Sequence, residues 1–509
     1  MTGKRWLCST RIEKRVSRLS LSECVWKIRS RTRSLLFITI PLLIACGPRS
    51  LSMYTHQAIN THPTSTPTTI LGGGLAGLAF AYFANLAGER VKLFEAAPFL
   101  GGNGRTLRFG EALVDTGAHR LHDRNTVATE AFSSLLGPDL RRVEAPSQII
   151  WRGRGIDFPL KPLNAAMRMG PKGLFRVLAE NIIPNRGCTP TTFEELAVLR
   201  YGPTLAGNFL LNYSEKLWGR RADELDPKVA GGRLSGLTLG SVLRELLLGA
   251  NATTRHLDGA FYYPTRGFGM LVDALVDHIG EEYLHTNAPV TRITHDGQRV
   301  LSLDVSGECQ KLGGEVVSTI PLPRLVELLD PPAEESVRRA ARSLSYRHLR
   351  LCIVRLDQDT VSSSASLYFP EKSIPFTRLY EPKNRSSEMS PVGSTAIVLE
   401  IPCSDQEKWW MMSDDAFETE VLSALPATGL EVGPIIGVHS VRLSNAYPIL
   451  DLNAAGTASK LLEYMGSFEN LRLGGRAGTF RYLHTHDLFA DAHEWANNRA
   501  AFGTPTSST

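Results

Sequence analysis

In residues 68–80, TTILGGGLAGLAF, a short apolar segment turns through glycines into small and apolar residues. The pattern predicts a buried strand over residues 68–71 and a packed helix over residues 75–86. A second strand is predicted in RVKLFE, residues 90–95. This β-α-β unit of about thirty residues is the context in which a string of glycines indicates a dinucleotide site.

Gly72, Gly74 and Gly77 form the pattern G-x-G-x-x-G. The first glycine permits a tight turn, the second lets the backbone approach a pyrophosphate, and the third lets helix and strand pack closely. The helix N-terminus then offers unpaired N–H groups to phosphates. Glu95 lies 23 residues after Gly72, where a carboxylate accepts hydrogen bonds from ribose hydroxyls. The glycines alone also fit a chance turn, but together these features predict a dinucleotide cofactor.

Composition limits the class of protein. The 509 residues give room for about two to four domains. The net charge of +5 comes from residues 1–33, which carry ten Lys/Arg against two Glu, so that the remainder has a net charge of −3. A nearly neutral body argues against a nucleic-acid-binding protein. The seven cysteines lie far apart without a C-x-x-C pair, which excludes a disulfide framework and a zinc site, and we expect buried, reduced thiols.

The first 52 residues need a separate interpretation. Their apolar stretch SLLFITIPLLIA, residues 34–45, is too short to span a bilayer comfortably. Its flanks fit a secretion signal with a lipoprotein-like box before Cys46, and the Arg- and Ser-rich composition also fits an organelle transit peptide. A third interpretation is that translation starts at Met53. In each case the fold begins near Pro67, and we expect a cytoplasmic protein whose only route to a membrane is this leader.

The predicted fold class is α/β, with a Rossmann-type cofactor domain interleaved with an α+β substrate or cap domain. The predicted parts are a leader and linker (1–67), the cofactor domain (68–150, 256–330 and 446–503), a helical cap region (151–255), a substrate domain (331–445) and a tail (504–509). Helices are predicted in MRMGPKGLFRVLAENI (167–182), GSVLRELLLGA (240–250) and TTFEELAVLRYG (191–202). The last of these has an N-cap at Thr191 or Thr192 with Glu195 following. A hairpin is predicted to turn at Asp296-Gly297.

Two further segments follow the ribose acid, namely Gly101-Gly102-Asn-Gly104-Arg105 and Asp115-Thr-Gly-Ala-His119-Arg120. This order resembles the flavin amine oxidase and protoporphyrinogen oxidase superfamily, which also includes phytoene-desaturase-like and UDP-galactopyranose-mutase-like proteins. The resemblance covers nearly the whole chain from residue 68 and is greatest for a bacterial branch described as protoporphyrinogen-oxidase-like or amine-oxidoreductase proteins. It is carried further by FPLKPLNAAMRMGP (158–171), YSEKLWGRRADELDPKVAGGRLSGLTL (213–239), FYYPTRGFGMLVDAL (261–275), AYPILDL (446–452) and NLRLGGRAGTFRY (470–482).

The resemblance implies that the cofactor is FAD. The residues that it implies for the ADP and ribityl-phosphate parts are Gly72, Gly74, Gly77, Glu95, Gly102 and Arg105. Val290 matches a family valine whose backbone meets the adenine, and Gly475 and Arg476 match a C-terminal segment that closes over the flavin. The helix after this segment would point its N-terminus at the flavin. His119 would lie close to the isoalloxazine.

His119 is the single candidate catalytic residue, because the flavin itself performs the redox chemistry and needs no nucleophile. It is either a proton carrier, since its ordinary pKa of about 6.5 suits that role, or a histidine that hydrogen-bonds its own loop. The candidate substrate residues are Arg120, Trp218, Arg266, Arg481 and Tyr482. The alternative role of Arg120 is a salt bridge with a neighbouring residue, and the alternative role of Trp218 is packing in the core.

The C-terminal motif departs from the family pattern. Relatives often continue it as R-Y-N-N-M-D-H, whereas this chain has Arg481-Tyr482-Leu-His484-Thr-His486-Asp487. The spacing of these histidines fits no common metal site, so we expect no metal and interpret them as polar groups beside the flavin.

Three functions fit these observations. The first is a FAD-dependent oxidoreductase that takes hydride from a C–N or C–C bond of a small molecule and passes electrons to oxygen, a quinone or another acceptor. The second resembles UDP-galactopyranose mutase, a non-redox flavoenzyme that needs a cationic clamp for a pyrophosphate, with Arg266, Arg476 and Arg481 as candidates. The third is a flavin-binding protein without turnover. The sequence specifies neither the substrate nor the acceptor.

Overall fold

The structure is a computed structural model that describes residues 66–158, 160, 162–182, 189–234 and 260–502. The predicted leader, the helix predicted over 240–250 and the predicted tail lie outside these residues. Within the described ranges, every helix is either too short or too polar to cross a bilayer.

The described elements alternate between strands and helices along most of the chain. The strands are β1 (Thr68–Leu71), β2 (Val91–Phe94), β3 (Thr106–Phe109), β4 (Ala112–Asp115), β5 (Leu140–Val143), β6 (Ser147–Trp151), β7 (Arg154–Phe158), β8 (Phe261–Pro264), β9 (Leu284–His285), β10 (Val290–His295), β11 (Val300–Val305), β12 (Glu308–Lys311), β13 (Val316–Ser318), β14 (Leu329–Asp330), β15 (Tyr346–Leu356), β16 (Ser366–Tyr368), β17 (Arg378–Tyr380), β18 (Thr395–Cys403), β19 (Ile435–Pro448) and β20 (Leu471–Leu473). The helices are α1 (Leu75–Leu86), α2 (Thr126–Leu136), α3 (Pro162–Arg168), α4 (Gly170–Ile182), α5 (Phe193–Leu205), α6 (Asn212–Trp218), α7 (Gly269–Ile279), α8 (Leu322–Glu327), α9 (Glu335–Ser343), α10 (Lys408–Met411), α11 (Asp414–Ser423), α12 (Ala454–Gly466), α13 (Gly475–Gly478) and α14 (Thr485–Phe502).

A five-stranded parallel sheet in the order β20-β13-β1-β2-β9 carries the glycine turn. Every residue of β1 is buried, as expected for a strand covered on both faces. Helix α1 packs against α14, and the ring of Phe80 meets Trp495 edge-on at 5.2 Å between centroids. The strands come from all three segments that the sequence assigns to the cofactor domain, and the fold class is therefore the predicted interleaved α/β arrangement.

A four-stranded sheet in the order β12-β11-β10-β14 lies in the second of those segments. Strands β10 and β11 form the predicted antiparallel hairpin. It turns at Asp296-Gly297, where Gly297 has a φ of +96° and the amide of Asp296 donates to the carbonyl of Arg299. The hairpin prediction is confirmed, because an Asp-Gly pair between alternating apolar residues favours this turn.

A seven-stranded mixed sheet in the order β19-β15-β18-β17-β16-β6-β7 forms the body of the substrate region. Strand β6 pairs with β7 and with β16, so the predicted boundary at residues 150 and 151 falls inside a continuous strand of this sheet. Strand β19 likewise crosses the predicted boundary at residues 445 and 446. Pairing with strands distant in sequence places both boundary segments in the substrate sheet. Local sequence patterns do not predict such pairing.

Three local predictions have different outcomes. The capping box of α5 is confirmed, with Thr192 accepting from the Glu195 amide and Glu195 accepting from the Thr192 amide. The stretch predicted as one helix over 167–182 is two helices, because Gly170, the first residue of α4, has a φ of +82°. The expectation of buried cysteines holds for Cys352 and Cys403 but is wrong for Cys309, which is exposed on β12, at the edge of its sheet.

Candidate cofactor and substrate site

The first glycine turn joins β1 to α1. Gly72 has a φ of +101°, and a Cβ there would lie 2.6 Å from Oγ1 of Thr319. A Cβ on Gly77 would lie 1.9 Å from the carbonyl oxygen of Gly72, so only glycine allows the helix to approach the turn this closely. Gly74 faces open space and is the N-cap of α1, where no side chain caps the helix. The N–H groups of the first turn therefore face a space that fits a phosphate group.

The second glycine turn lies directly against the first. The amide of Gly101 donates to the carbonyl of Gly73 at 2.8 Å, and a Cβ on Gly102 would lie 3.2 Å from Cα of Gly74. Nε of Arg105 donates to the carbonyl of Gly102 at 2.9 Å, and the guanidinium lies 3.5 Å from the centroid of the Phe99 ring. Nη1 and Nη2 of Arg105 have no hydrogen-bond partner among the described residues. These two nitrogens are therefore free to donate to a phosphate oxygen.

The predicted ribose acid and adenine segment lie side by side. The carboxylate of Glu95 accepts from the amides of Gly73 at 2.6 Å and Ala97 at 2.8 Å. The amide of Ala288 donates to the backbone carbonyl of Glu95 at 2.8 Å. Val290 begins β10 two residues later, so this hydrogen bond places the predicted adenine segment beside the predicted ribose acid.

The predicted C-terminal closing segment packs on the first turn of α1. Gly475 has a φ of +74°, and a Cβ there would lie 2.7 Å from Cβ of Ala76. Arg476 donates from Nε and Nη2 to the carbonyl of Leu483, at 3.1 and 2.6 Å, and from Nη1 to the carbonyl of Ala446 at 3.1 Å. Arg476 thus fastens this segment to the end of β19. The two glycine turns, Glu95, Arg105 and Gly475 together fit the elongated cofactor that the sequence predicts.

His119 lies under the second glycine turn. Its Nε2–H donates to the carbonyl of Asn103 at 2.8 Å, and its ring lies 4.6 Å from the ring of Phe268 between centroids. Burial lowers the pKa of His119 to about 3, although the Asn103 carbonyl favours the charged form, and the guanidinium of Arg476 lowers it further. A neutral imidazole at pH 7 favours the second of its two predicted roles, a histidine that holds its own loop.

A prediction on stability follows from the lowered pKa of His119. Between the folded pKa of about 3 and the ordinary value of 6.5, the unfolded chain takes up a proton that the folded chain does not. The stabilisation from the neutral ring is complete above pH 6.5 and falls as the pH drops through this window. On acidification from about pH 8 to about pH 5, the free energy of unfolding should fall by about 2 kcal/mol more in the wild type than in His119→Gln. Urea titrations at both pH values measure this difference, and equal losses would contradict the prediction.

Arg120 connects the His119 loop to the seven-stranded sheet. Its Nη2 donates to Oγ of Ser147 at 2.9 Å and to Oγ of Ser366 at 3.2 Å. Its guanidinium lies 4.7 Å from the centroid of the Phe261 ring. These hydrogen bonds join the His119 loop to β6 and β16 of that sheet.

An aromatic cluster, defined here as Trp218, Tyr447 and Tyr482, lies beside the C-terminal closing segment. The ring of Trp218 meets Tyr447 and Tyr482 edge-on at 6.2 and 6.0 Å, and the two tyrosines stack at 5.9 Å. The guanidinium of Arg476 lies 5.0 Å from the Tyr482 ring. Trp218 is buried, as in its predicted core role, and burial raises the pKa of Tyr447 to about 12. Tyr447 was not among the predicted site residues, although it lies in the quoted segment AYPILDL.

Lys216 fixes the helix that carries Trp218. Its Nζ donates to the backbone carbonyls of Phe369, Glu371 and Phe376 at 2.7, 3.0 and 2.9 Å. Burial lowers the pKa of Lys216 to about 7, whereas three carbonyl acceptors favour the ammonium form. Because all three N–H groups are used, Lys216 is an anchor for α6.

Arg266 and Arg481 are both exposed. Arg266 lies in the turn between β8 and α7, and its amide donates to the sulfur of Met270 at 3.3 Å. Among the residues that the structure describes, no hydrogen bond or ion pair links either guanidinium to the aromatic cluster. The structure brings Trp218, Tyr482 and Arg476 together, and Arg481 joins them through its backbone, since its amide donates to the carbonyl of Arg476 at 3.1 Å.

An ion pair that the sequence did not predict lies between β17 and β18. Nε and Nη2 of Arg378 donate to the two carboxylate oxygens of Glu400, both at 2.8 Å, and Glu400 is 3% exposed. The carboxylate also accepts from the amide of Ala118, next to His119, at 3.2 Å. Burial alone would lower the pKa of Arg378, but Glu400 holds it well above its ordinary value. The sequence signal that could have revealed this pair is Glu400, a charged residue inside the mostly apolar strand β18.

Three histidines gather where the C-terminal motif departs from the family pattern. His484 and His486 stack at 5.5 Å between ring centroids, and His122 lies 6.5 and 6.2 Å from them. Asp487 accepts from the His484 amide at 2.7 Å and so caps α14. Burial, followed by Arg124, lowers the pKa of His122 to about 4. In the described part of the chain, no group of three His, Cys, Asp or Glu residues is arranged to hold a metal ion.

The comparisons with known proteins agree with this site. Residues 75–440 match the family described as flavin containing amine oxidoreductase, and the chain belongs to this family. The family and the fitting glycine cradle identify the chain as a FAD-dependent oxidoreductase, with FAD as its cofactor.

The fold is similar to those of several solved structures. A reduced UDP-galactopyranose mutase matches with a TM-score of 0.77 and 19% identity, over 87% of this chain and 97% of its own. A putative protoporphyrinogen oxidase from Exiguobacterium sp. 255-15 matches with 0.69 and 18%, over 86% and 99%. Cyclohexylamine oxidase from Brevibacterium oxydans IH-35A matches with 0.61 and 15%, over 86% and 99%. No curated protein sequence matches the chain significantly. Identities this low indicate the fold alone.

Proposed function

We propose that this FAD-dependent oxidoreductase takes hydride from a C–N or C–C bond of a small organic substrate held against the aromatic cluster, and that it does not rearrange a sugar nucleotide. The observation that carries the proposal is the charge balance around the cluster. Arg476, which lies 5.0 Å from the Tyr482 ring, and Arg378, whose charge lowers the pKa of Tyr447, are both engaged by groups of the protein itself.

A site for a sugar nucleotide needs cations that can clamp a pyrophosphate, each with free donors aimed at it. Arg476 directs three nitrogens at backbone carbonyls, and Arg378 is neutralised by Glu400. Arg266 and Arg481, the other proposed members of a clamp, are both exposed. The cluster itself consists of aromatic side chains, and stacked and edge-on rings favour an apolar or weakly polar substrate.

FAD would supply the hydride acceptor, and the chain supplies binding and orientation. The aromatic cluster holds the substrate, and Arg476 fixes the segment that carries Tyr482. Neutral His119 holds the Asn103 carbonyl and thereby the second glycine turn. Oxygen and quinones remain the two proposed classes of electron acceptor.

Anaerobic mixing of the FAD-loaded enzyme with a panel of primary amines, secondary amines and cyclic alkenes tests the proposal. We expect at least one class to bleach the flavin absorption, with oxygen or a quinone restoring it. Isomerisation of UDP-galactopyranose by the dithionite-reduced enzyme, without net flavin oxidation, would overturn the proposal.

Tyr482→Ala should slow flavin reduction by the substrate found in this way, or raise its KM, by about tenfold, because it removes half of a stacked pair worth about 1 kcal/mol as well as contact area. Flavin content should be unchanged. Tyr283→Ala is the matched control, because Tyr283 lies just before β9, outside the aromatic cluster, and is 39% exposed. Equal kinetics in the two variants would remove Tyr482 from the substrate site.

A further inference from the structure

The outer surface of α3 and α4 exposes two large apolar side chains. Phe175 is 75% exposed and Met167 is 56% exposed. Single apolar residues on a surface need no explanation, but two large apolar side chains this exposed within nine residues of each other are a feature that a binding surface would explain. These two residues define the start of what is called here the α3–α4 surface.

Contacts on the inner side fix which residues face outward. Val177 is buried, and the carboxylate of Glu180 accepts from the amide and Oγ1 of Thr204 at 2.9 and 2.6 Å, which holds α4 against α5. Because an α-helix has 3.6 residues per turn, Lys172 and Phe175 lie on the side opposite Val177. The outward direction of Phe175 is therefore set by packing and hydrogen bonds.

Three cations lie on the same two helices as the exposed apolar residues. Arg168, Lys172 and Arg176 are exposed, and within the described residues none of the three forms an ion pair with a carboxylate. The carboxylate that the sequence of α4 contains, Glu180, is directed inward to Thr204. Apolar side chains flanked by unpaired Lys and Arg are typical of a surface that lies in the boundary between lipid head groups and acyl chains.

We propose that the α3–α4 surface docks on an anionic lipid bilayer, with Phe175 and Met167 inserted below the head groups and Arg168, Lys172 and Arg176 on lipid phosphates. Charge complementarity selects this occupant, because a second copy of the surface would bring like charges together. The docking is independent of the predicted leader and of the substrate proposed above.

The surface is joined to the candidate substrate site through one core. Ala165 and Ala166 of α3 and Val177 of α4 pack in the same hydrophobic cluster as Trp218. A bilayer bound at the α3–α4 surface therefore lies against helices that share a core with Trp218 of the aromatic cluster.

Site-specific photocrosslinking tests the proposal on the full chain. p-Benzoylphenylalanine replaces Phe175 in one variant and Met411 in the control, because Met411 is 71% exposed on α10. With vesicles of phosphatidylcholine and phosphatidylglycerol, lipid should attach at position 175 and not at 411. Attachment of lipid equally at both positions, or capture at 175 of another segment of the chain or of a second copy, would overturn the proposal.

Vesicle co-sedimentation gives an independent measurement. Each cation at an anionic surface contributes a factor of about five, so Arg168→Gln, Lys172→Gln and Arg176→Gln combined should weaken binding at least tenfold. The wild type should bind neutral vesicles of phosphatidylcholine alone no more tightly than the triple variant does. The flavin spectrum checks that the variant is folded. If the folded variant binds vesicles as tightly as the wild type, and no lipid crosslinks to position 175, the proposed surface is wrong.

Discussion

Replacement of Gly77 by alanine should abolish flavin binding. The new Cβ would lie 1.9 Å from the carbonyl oxygen of Gly72, which belongs to the backbone of the turn and has no flexible end to move. Either α1 shifts away from β1 or the turn opens, at a cost of about 3 kcal/mol or more. Both responses move the N-terminus of α1 from the phosphate position. Purified Gly77→Ala should carry no flavin absorption and should unfold at a lower temperature than the wild type.

Gly74→Ala is the matched control for this prediction. A Cβ on Gly74 meets nothing within 4 Å, and the φ of −70° suits any L-residue. The variant should therefore keep the unfolding temperature of the flavin-free protein but bind FAD more weakly, because the methyl group enters the space where a pyrophosphate approaches. If both variants lose stability equally, or if Gly77→Ala retains its flavin, the assignment of this turn to the cofactor fails.

The cofactor region could be predicted from the sequence because its determinants are local. The strand, the three glycines, α1 and β2 lie within one stretch of the chain, and each glycine has a backbone reason that follows from its position. The hairpin at Asp296-Gly297 and the capping box at Thr192 are likewise determined by local sequence. In each of these cases residues a few positions apart fix the geometry.

The substrate side could be predicted less well, because its determinants are distant in sequence. Tyr447 joins Trp218 and Tyr482 only through the pairing of β19 and the closing of the C-terminal segment. Arg378 and Glu400 meet across two antiparallel strands, and no spacing rule connects them with His119. The boundary errors at β6 and β19 have the same origin, since long-range strand pairing decided both.

The ion pair between Arg378 and Glu400 should contribute strongly to the stability of the fold. Glu400→Gln keeps the shape of the side chain and an oxygen for the Ala118 amide, but it removes the charge that faces a guanidinium only 20% exposed. Removing one partner of a buried pair leaves an uncompensated charge and typically costs about 3–5 kcal/mol. The free energy of unfolding, measured by urea titration near neutral pH, should fall by this amount.

The double variant Arg378→Met/Glu400→Gln separates the charge from the shape of the site. Without the guanidinium, no buried charge is left unpaired, and most of the stability lost in Glu400→Gln should return. If the double variant is as unstable as the single one, packing or the hydrogen bond to Ala118 carries the effect, and the ion pair does not. Recovery of stability would show that Glu400 is present to neutralise Arg378, as the proposal of an uncharged substrate surface requires.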